Sequence, residues 1–336
     1  MIRLAASLIA SCLLLLATAA CAYQPPRARP EVWATPIAAA DARPGDARPG
    51  DTRLGEARLE GAWELGSSVR EFGGISAAEL RGDRLWLLSD RSHLLELPWS
   101  WPAAGQPFVL PVLARDELRL RDGSALDAEA MLPWSGGGHL VADEGSGRLW
   151  PFALHGVRPA GPALLVPLSP GAGGNLGVEA LARLPDGSLL ALVEGEAADG
   201  LHDAFRLAGD GEVVRWRYRA AAGFSPTDAA VAGDFLFVLE RRVSLLGGWQ
   251  ARLVAIPLAR LPQGEVGVLD GHEIVRVTGP ELGENYEGLA VVADAGGYRL
   301  LLVSDDNFSF LQRTRLLLLR WQPAQPALAG LATGGT

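Results

Sequence analysis

Five times along this chain a short apolar strand opens on a small or acidic residue, turns through glycine, and is answered by a second apolar strand that ends in an acid. The first strands are Gly74-Ile-Ser-Ala, Glu129-Ala-Met-Leu, Glu179-Ala-Leu-Ala, Asp228-Ala-Ala-Val and Glu287-Gly-Leu-Ala. Their partners end at Asp90, Asp143, Glu194, Glu240 and Asp305. Turns such as Arg81-Gly-Asp, Pro185-Asp-Gly and Ala232-Gly-Asp join each pair, as hairpins require. A third apolar stretch follows every pair, and weaker fourth stretches lie near 118, 164, 213 and 274. No segment sustains a period of 3.6, so helices are few.

Four antiparallel strands repeated about every 50 residues predict an all-β chain folded as a β-propeller. Five four-stranded blades are expected, with six as the alternative. The last unit lacks a fourth strand, which Leu59-Glu-Gly-Ala-Trp-Glu-Leu can supply. Pairing of the N- and C-terminal strands would then close the ring and remove its free edges. In such a ring, first-strand starts and second-strand ends share one mouth. Nine of those ten positions are acidic here, with Asp127, Glu144 and Asp306 beside them. Close carboxylate pairs repel by about 1–4 kcal/mol, so the mouth needs protons, arginines or cations. Candidate metal ligands are therefore Glu129, Glu179, Asp228, Glu287, Asp90, Asp143, Glu194, Glu240 and Asp305. Oxygen donors without cysteine or paired histidine favour Ca²⁺, with Mg²⁺ second.

The ends carry different information. Arg3 followed by apolar Leu4 to Ala17 reads as an export signal within residues 1–22. Ala20-Cys21-Ala22 suits ordinary cleavage, while Thr18-Ala-Ala-Cys21 resembles a lipobox that would lipidate Cys21. The expected location is the periplasm, or the cell envelope through that anchor. Both cysteines, Cys12 and Cys21, lie in this segment, so the domain has neither disulfide nor thiol nucleophile. Residues 23–58 hold a tandem Asp-Ala-Arg-Pro-Gly repeat and read as a flexible spacer, 59–321 as the propeller, and 322–336 as a disordered tail. The net charge is −9 without basic runs, which excludes nucleic acid as a partner and any charge-driven hold on anionic lipid. A monomer is expected.

The string Ser304-Asp-Asp-Asn-Phe-Ser-Phe-Leu-Gln-Arg-Thr314, preceded by Glu284-Asn-Tyr-Glu-Gly-Leu-Ala290, is the most specific in the chain. With Gly73-Gly-Ile-Ser76, Leu88-Ser-Asp-Arg91, Asp127-Ala-Glu129, Gly177-Val-Glu179, Pro226-Thr-Asp228 and Leu239-Glu-Arg241, it resembles the phytase-like family described by esterase-like activity. Two departures keep every carboxylate: Glu284-Asn-Tyr-Glu replaces an Asp-Asn-Phe-Glu type string, and Ala130 stands where the family commonly has glycine. The resemblance implies a propeller that hydrolyses small ester or phosphoester substrates. It further implies acids that hold cations, and Arg91, Arg241 and Arg313 facing substrate oxygens. Glu179, Glu287, Asp228, Arg91 and Arg241 are the candidate catalytic residues. No G-x-S-x-G elbow, H-E-x-x-H pair or phosphate loop is present, and His139 is the one histidine that opens a strand near the channel. A non-catalytic binding or scaffold propeller of the cell envelope is the alternative.

Overall fold

The computed structural model describes residues 29–37, 53–168, 177–196, 199–245 and 247–324. The export segment, both cysteines, most of the pentapeptide repeat and residues 325–336 lie outside these. Within the compact unit that begins at Glu31, the described residues form five sheets. Their innermost strands are Ile75–Arg81, Ala128–Pro133, Val178–Arg183, Ser225–Ala232 and Asn285–Asp294. Each packs against the next, and the fifth packs against the first, so the ring closes. Among the described residues, helix is confined to two single 3-10 turns, Ser135–Gly137 and Leu258–Arg260.

Every blade is sandwiched between two others, which is why its strands read as continuous apolar runs. In blade 1, Leu85 and Leu87 enter the core shared with blade 5, while Trp86 and Leu88 enter the core shared with blade 2. The period of two thus divides one run between two interfaces. Each of the five gaps between blades holds its own cluster of buried side chains. Fully burying one such Leu or Val contributes about 1.5–3 kcal/mol.

Closure follows the expected route. Ala57–Ser67 pairs antiparallel with Arg315–Trp321, from Glu64 opposite Arg315 to Arg58 opposite Arg320. The first and last described strands therefore share the sheet of blade 5. Trp321 locks this seam, meeting Phe235 and Tyr298 at ring distances of 5.1 and 5.4 Å.

The spacer reading of 23–58 is corrected at both ends, since Arg53–Leu54 and the start of Ala57–Ser67 are paired strand as well. Glu31–Pro36, inside the stretch read as spacer, is a strand between Ala57–Ser67 and Phe108–Pro111. Val32 and Ala34 are buried there, while Glu31, Trp33 and Thr35 alternate outward. This alternation spans only a few residues beside a low-complexity tract, which hid it from the sequence reading. The repeat consequently links two neighbouring strands of one sheet and does not separate an anchor from the domain.

Candidate active site

All five inner strands break register at the same depth. Opposite the second strand, one residue is extra in each blade: Ser76, Glu129, Glu179, Thr227 and Glu287. A bulge of this kind re-aims a side chain. Ser76 Oγ donates to the Ala128 carbonyl at 2.6 Å, and Thr227 Oγ1 donates to the Tyr286 carbonyl at 3.1 Å. In each case the acceptor precedes the bulged residue of the next blade. The two hydroxyls thus bind their neighbours, and the three glutamates stand between them.

A second layer lies just beyond, at the residue following each second-strand partner: Asp90, Glu144, Glu194, Arg241 and Asp305. The two layers bring seven carboxylates and one guanidinium to one mouth. Contacts run round the circle. Arg241 Nη2 meets Glu194 Oε1 at 3.1 Å, and its Nε meets Glu287 Oε1 at 3.1 Å. Asn285 Nδ2 donates to Glu287 Oε1 at 2.8 Å and to Asp305 Oδ2 at 3.3 Å. Asp90 lies near Asp305 on one side and Asp127 on the other, and Glu144 near Asp127 and Glu194.

Burial and mutual repulsion hold protons on this mouth. Burial, then the charges of Glu179 and Glu287, push the Glu129 carboxyl up to about 10. Glu179 is pushed well above the usual carboxylate range by burial, then by Glu194 and Glu287. Glu287 reaches only about 7, because Arg241 and Asn285 oppose its burial. Burial likewise takes Glu144 to about 7 and Asp305 to about 8. Arg241 is held more firmly cationic by Glu287, Glu194, Glu179 and Glu129, against the effect of burial.

Glu129, Glu179, Glu287, Asp90, Glu194, Asp305 and Arg241 therefore stand where the sequence put them, at one mouth. The others move by one residue or leave. Asp228 follows the bulge that Thr227 occupies, so it points down the channel. Its Oδ1 accepts the Ala229 N–H at 2.8 Å and its Oδ2 the Leu289 N–H at 2.7 Å, with no exposure to the acid mouth's solvent. Glu240 faces the sheet interior, where it binds Tyr218 Oη and meets Arg252 at 3.2 Å. Arg241 takes the inward position of that blade. Asp143 also falls one residue short, accepting the Asp127 N–H at 3.3 Å, and Glu144 takes its place. Arg91 is exposed and stacks on Phe308 with its guanidinium carbon 3.5 Å from the ring centre. Arg313 turns outward to Glu64 at 3.6 Å. His139 lies at the opposite mouth. A fixed offset from the acid had set the sequence alignment. The bulge and the two-residue pleat set the real one.

The loops are fitted around this mouth. Asp306 Oδ1 accepts the Gly74 N–H at 2.9 Å and the Phe308 N–H at 3.0 Å, tying blade 5 to blade 1. Gly74 sits at φ +60°, and a Cβ there would lie 2.3 Å from the Phe308 ring and 2.6 Å from Asp90 Oδ1. Both conditions demand glycine.

The donors suit a hard cation. Asp127, Glu129 and Glu144 each offer an oxygen within 4.8 Å of the others, a spread that Ca–O bonds of about 2.3–2.6 Å can bridge. Across the mouth, buried Asn285 has an Oδ1 with no hydrogen-bond partner among the described residues. It is a further neutral oxygen donor beside Glu287 and Asp305.

Among solved structures, the chain is similar to one carrying the provisional name gluconolactonase, at 13% identity over 88% of this chain and 93% of that one, with a TM-score of 0.43. Glutaminyl cyclase of Myxococcus xanthus is similar at 12% identity, covering 74% and 90%, with a TM-score of 0.40. A luciferin-regenerating enzyme is similar at 13% identity, covering 75% and 93%, with a TM-score of 0.39. Such values bear on neither substrate nor mechanism. No curated protein matches the chain. Residues 70–308, which run from the entry to blade 1 through every strand that builds the acid mouth, match the phytase-like family described as esterase-like activity of phytase, and the chain belongs to that family.

Proposed function

We propose that this protein is an exported, Ca²⁺-dependent hydrolase of small ester or phosphoester substrates that works at the acid mouth. The observation that carries the reading is the gathering of seven carboxylates around one guanidinium by bulges repeated in five blades. Structural symmetry can repeat a turn, but it gives no reason to repeat a mutually repelling side chain.

Asp127, Glu129 and Glu144 would hold the cation, with Ca²⁺ preferred because Mg²⁺ demands a near-ideal octahedron. When bound, a divalent ion there supplies positive charge to a substrate oxygen and acidifies water. Glu287 is fixed from two sides, since Arg241 and Asn285 both engage its Oε1. Its Oε2 is left to accept a proton from an attacking water, the role of a general base. Arg241 spans Glu194 and Glu287 and presents N–H donors where oxyanion charge develops. Glu179, beside Glu129 and Glu287, crowds the same pocket, and a bound cation would take the place of the proton that burial and its neighbours hold there. The apolar Leu4–Ala17 stretch and Cys21 support export, with the mature chain periplasmic or held by a lipid at Cys21.

Turnover of p-nitrophenyl acetate, p-nitrophenyl phosphate and bis-p-nitrophenyl phosphate, each with Ca²⁺ and after chelation, tests this. Hydrolysis of at least one should depend on Ca²⁺ and fall about 10²–10⁴-fold in Glu287→Gln. Equal rates in the native protein, the chelated protein and that variant would overturn the reading and leave a propeller that binds without reacting.

A further inference from the structure

The acid mouth is fringed by apolar side chains that have no protein partner. In the loop after Asp305, Phe310 and Leu311 are 85% and 77% exposed. In the hairpin beyond Arg241, Leu245 is fully exposed and Val243 is 59% exposed. Both segments rise from second strands, in neighbouring blades 4 and 5, at the ends where those strands reach the acids. Trp249, on the returning arm of the hairpin, lies 5.8 Å from the Arg241 guanidinium. The loop is also fixed: Asp306 binds Gly74, Phe308 and Thr314, and Arg313 binds the Phe310 and Gln312 carbonyls. Phe310 and Leu311 are thus held out into solvent by a braced turn. Single exposed apolar residues are ordinary, but braced pairs on adjacent loops at one face mark a contact surface.

The path of the chain indicates what covers this face. Glu31 opens the first described strand and is clamped to the end of the closing strand. Its N–H binds Ser68 Oγ at 2.9 Å, and its carbonyl accepts the Ser67 hydroxyl at 2.7 Å. From Ser68 the chain runs directly to Gly74 at the acid mouth. The N-terminal segment therefore joins the domain on the acid-mouth side, ten residues after Cys21. Even fully extended, ten residues reach only about 35 Å.

We infer that the acid mouth faces a zwitterionic lipid surface, with Leu245, Phe310 and Leu311 entering its interfacial layer. The lipid class follows from charge. A chain of net charge −9, presenting its acid ring on that side, is repelled by anionic headgroups and gains nothing from them. Apolar tips beside a polar mouth fit the headgroup boundary, where ester bonds of lipids or of dissolved amphiphiles lie within reach. The inference rests on the export reading of the N-terminal segment, and its test reads loop protection, not turnover, so either can fail alone.

The experiment is amide hydrogen exchange of the full chain with phosphatidylcholine vesicles, set beside vesicles of phosphatidylglycerol. An apolar leader or an acyl chain would itself hold the protein on vesicles, so the readout is which loops are protected. Segments 243–249 and 306–313 should slow in exchange, while the opposite-mouth turns at 134–138 and 185–188 should not change. A variant carrying Leu245→Ser, Phe310→Ser and Leu311→Ser should lose that protection even while its N-terminal segment holds it on the vesicles. Protection of the opposite mouth, of neither mouth, or only on phosphatidylglycerol overturns the inference. So does a variant whose loops stay protected as in the native chain, or one that instead loses turnover of a soluble ester and thereby reports substrate contact.

Discussion

At the mouth away from the acids, Glu79 is enclosed by partners. Arg81 Nε meets its Oε1, His139 Nδ1 lies 3.0 Å from its Oε2, and the Arg81 guanidinium carbon stacks 4.3 Å from the Trp86 ring centre. Asp228, deeper on that side, has its carboxylate taken by backbone N–H groups. Leu80, Leu132, Leu181, Val231 and Val291 line the channel around them. At the acid mouth, among the described residues, Arg241 is the one guanidinium in ion pairs with the ring acids, and Asn285 keeps a bare oxygen. Both ends carry buried acids, so acidity by itself separates nothing. What separates them is whether the partners are supplied by the protein. Where they are supplied, the acid is a fastening. Where they are withheld, the protein keeps a standing free-energy cost that an ion or a substrate can relieve.

That contrast predicts opposite signs for similar substitutions. Glu79→Ala strips the partner from Arg81 and His139 and should destabilise by about 3–5 kcal/mol in denaturant unfolding. A neutral result would mean that the far mouth is no fastening at all. Glu129→Gln, in chelated protein at pH 8, should stabilise by about 1–4 kcal/mol, because the native carboxyl, raised to about 10, must hold a proton that the unfolded chain releases, and glutamine need not. It should also abolish the stabilisation that Ca²⁺ gives the native chain. A destabilised Glu129→Gln would erase the distinction between the two ends.

The pH dependence sharpens it. Glu287 and Glu144 at about 7, Asp305 at about 8 and Glu129 at about 10 all lie above the ordinary carboxylate values of 4.5 and 3.8 expected when unfolded. The folded state then binds more protons than the unfolded one between those limits. The stabilisation this gives is complete below about pH 4 and is lost as pH rises through 7, 8 and 10. Chelated protein should accordingly melt at progressively lower temperature between pH 6 and 9. The increment from Ca²⁺ should grow over the same range, because the ion takes the place of protons. Calorimetry at pH 6, 7.5 and 9 measures both, and an increment that shrinks with pH would contradict the acid ring as a cation site. The smallest effect expected is from Ser76→Ala. It removes one hydroxyl bond between inner strands and should cost about 1 kcal/mol at any pH, with Ca²⁺ or without.

Blade number, the closing strand and the mouth that gathers the acids were legible because each rests on repetition. Repeated glycine turns and continuous apolar runs have few other solutions in a chain of this length. The exact membership of the ring was not legible. Thr227 and Asp228 differ by one position, and nothing local says that the bulge takes the hydroxyl and sends the carboxylate down the channel. The same slip exchanged Glu240 for Arg241 and Asp143 for Glu144. Arg241 was legible as a catalytic candidate, but not as a member of the ring itself. Strand Glu31–Pro36 escaped for a different reason: it is stable only because the edges of Ala57–Ser67 and Phe108–Pro111 are there to receive it.

By itself the sequence determined that this protein is a closed wheel of strands with an acidic end, since hairpin turns and apolar periodicity act over a few residues and need no distant partner. Only the tertiary structure decided which acids meet, which cation they share and on which side the chain enters. Those depend on register between strands and on contacts between blades distant in the chain, such as the Asp306 bond to Gly74 across a separation of 232. A slip of one residue there turns a side chain to the other face.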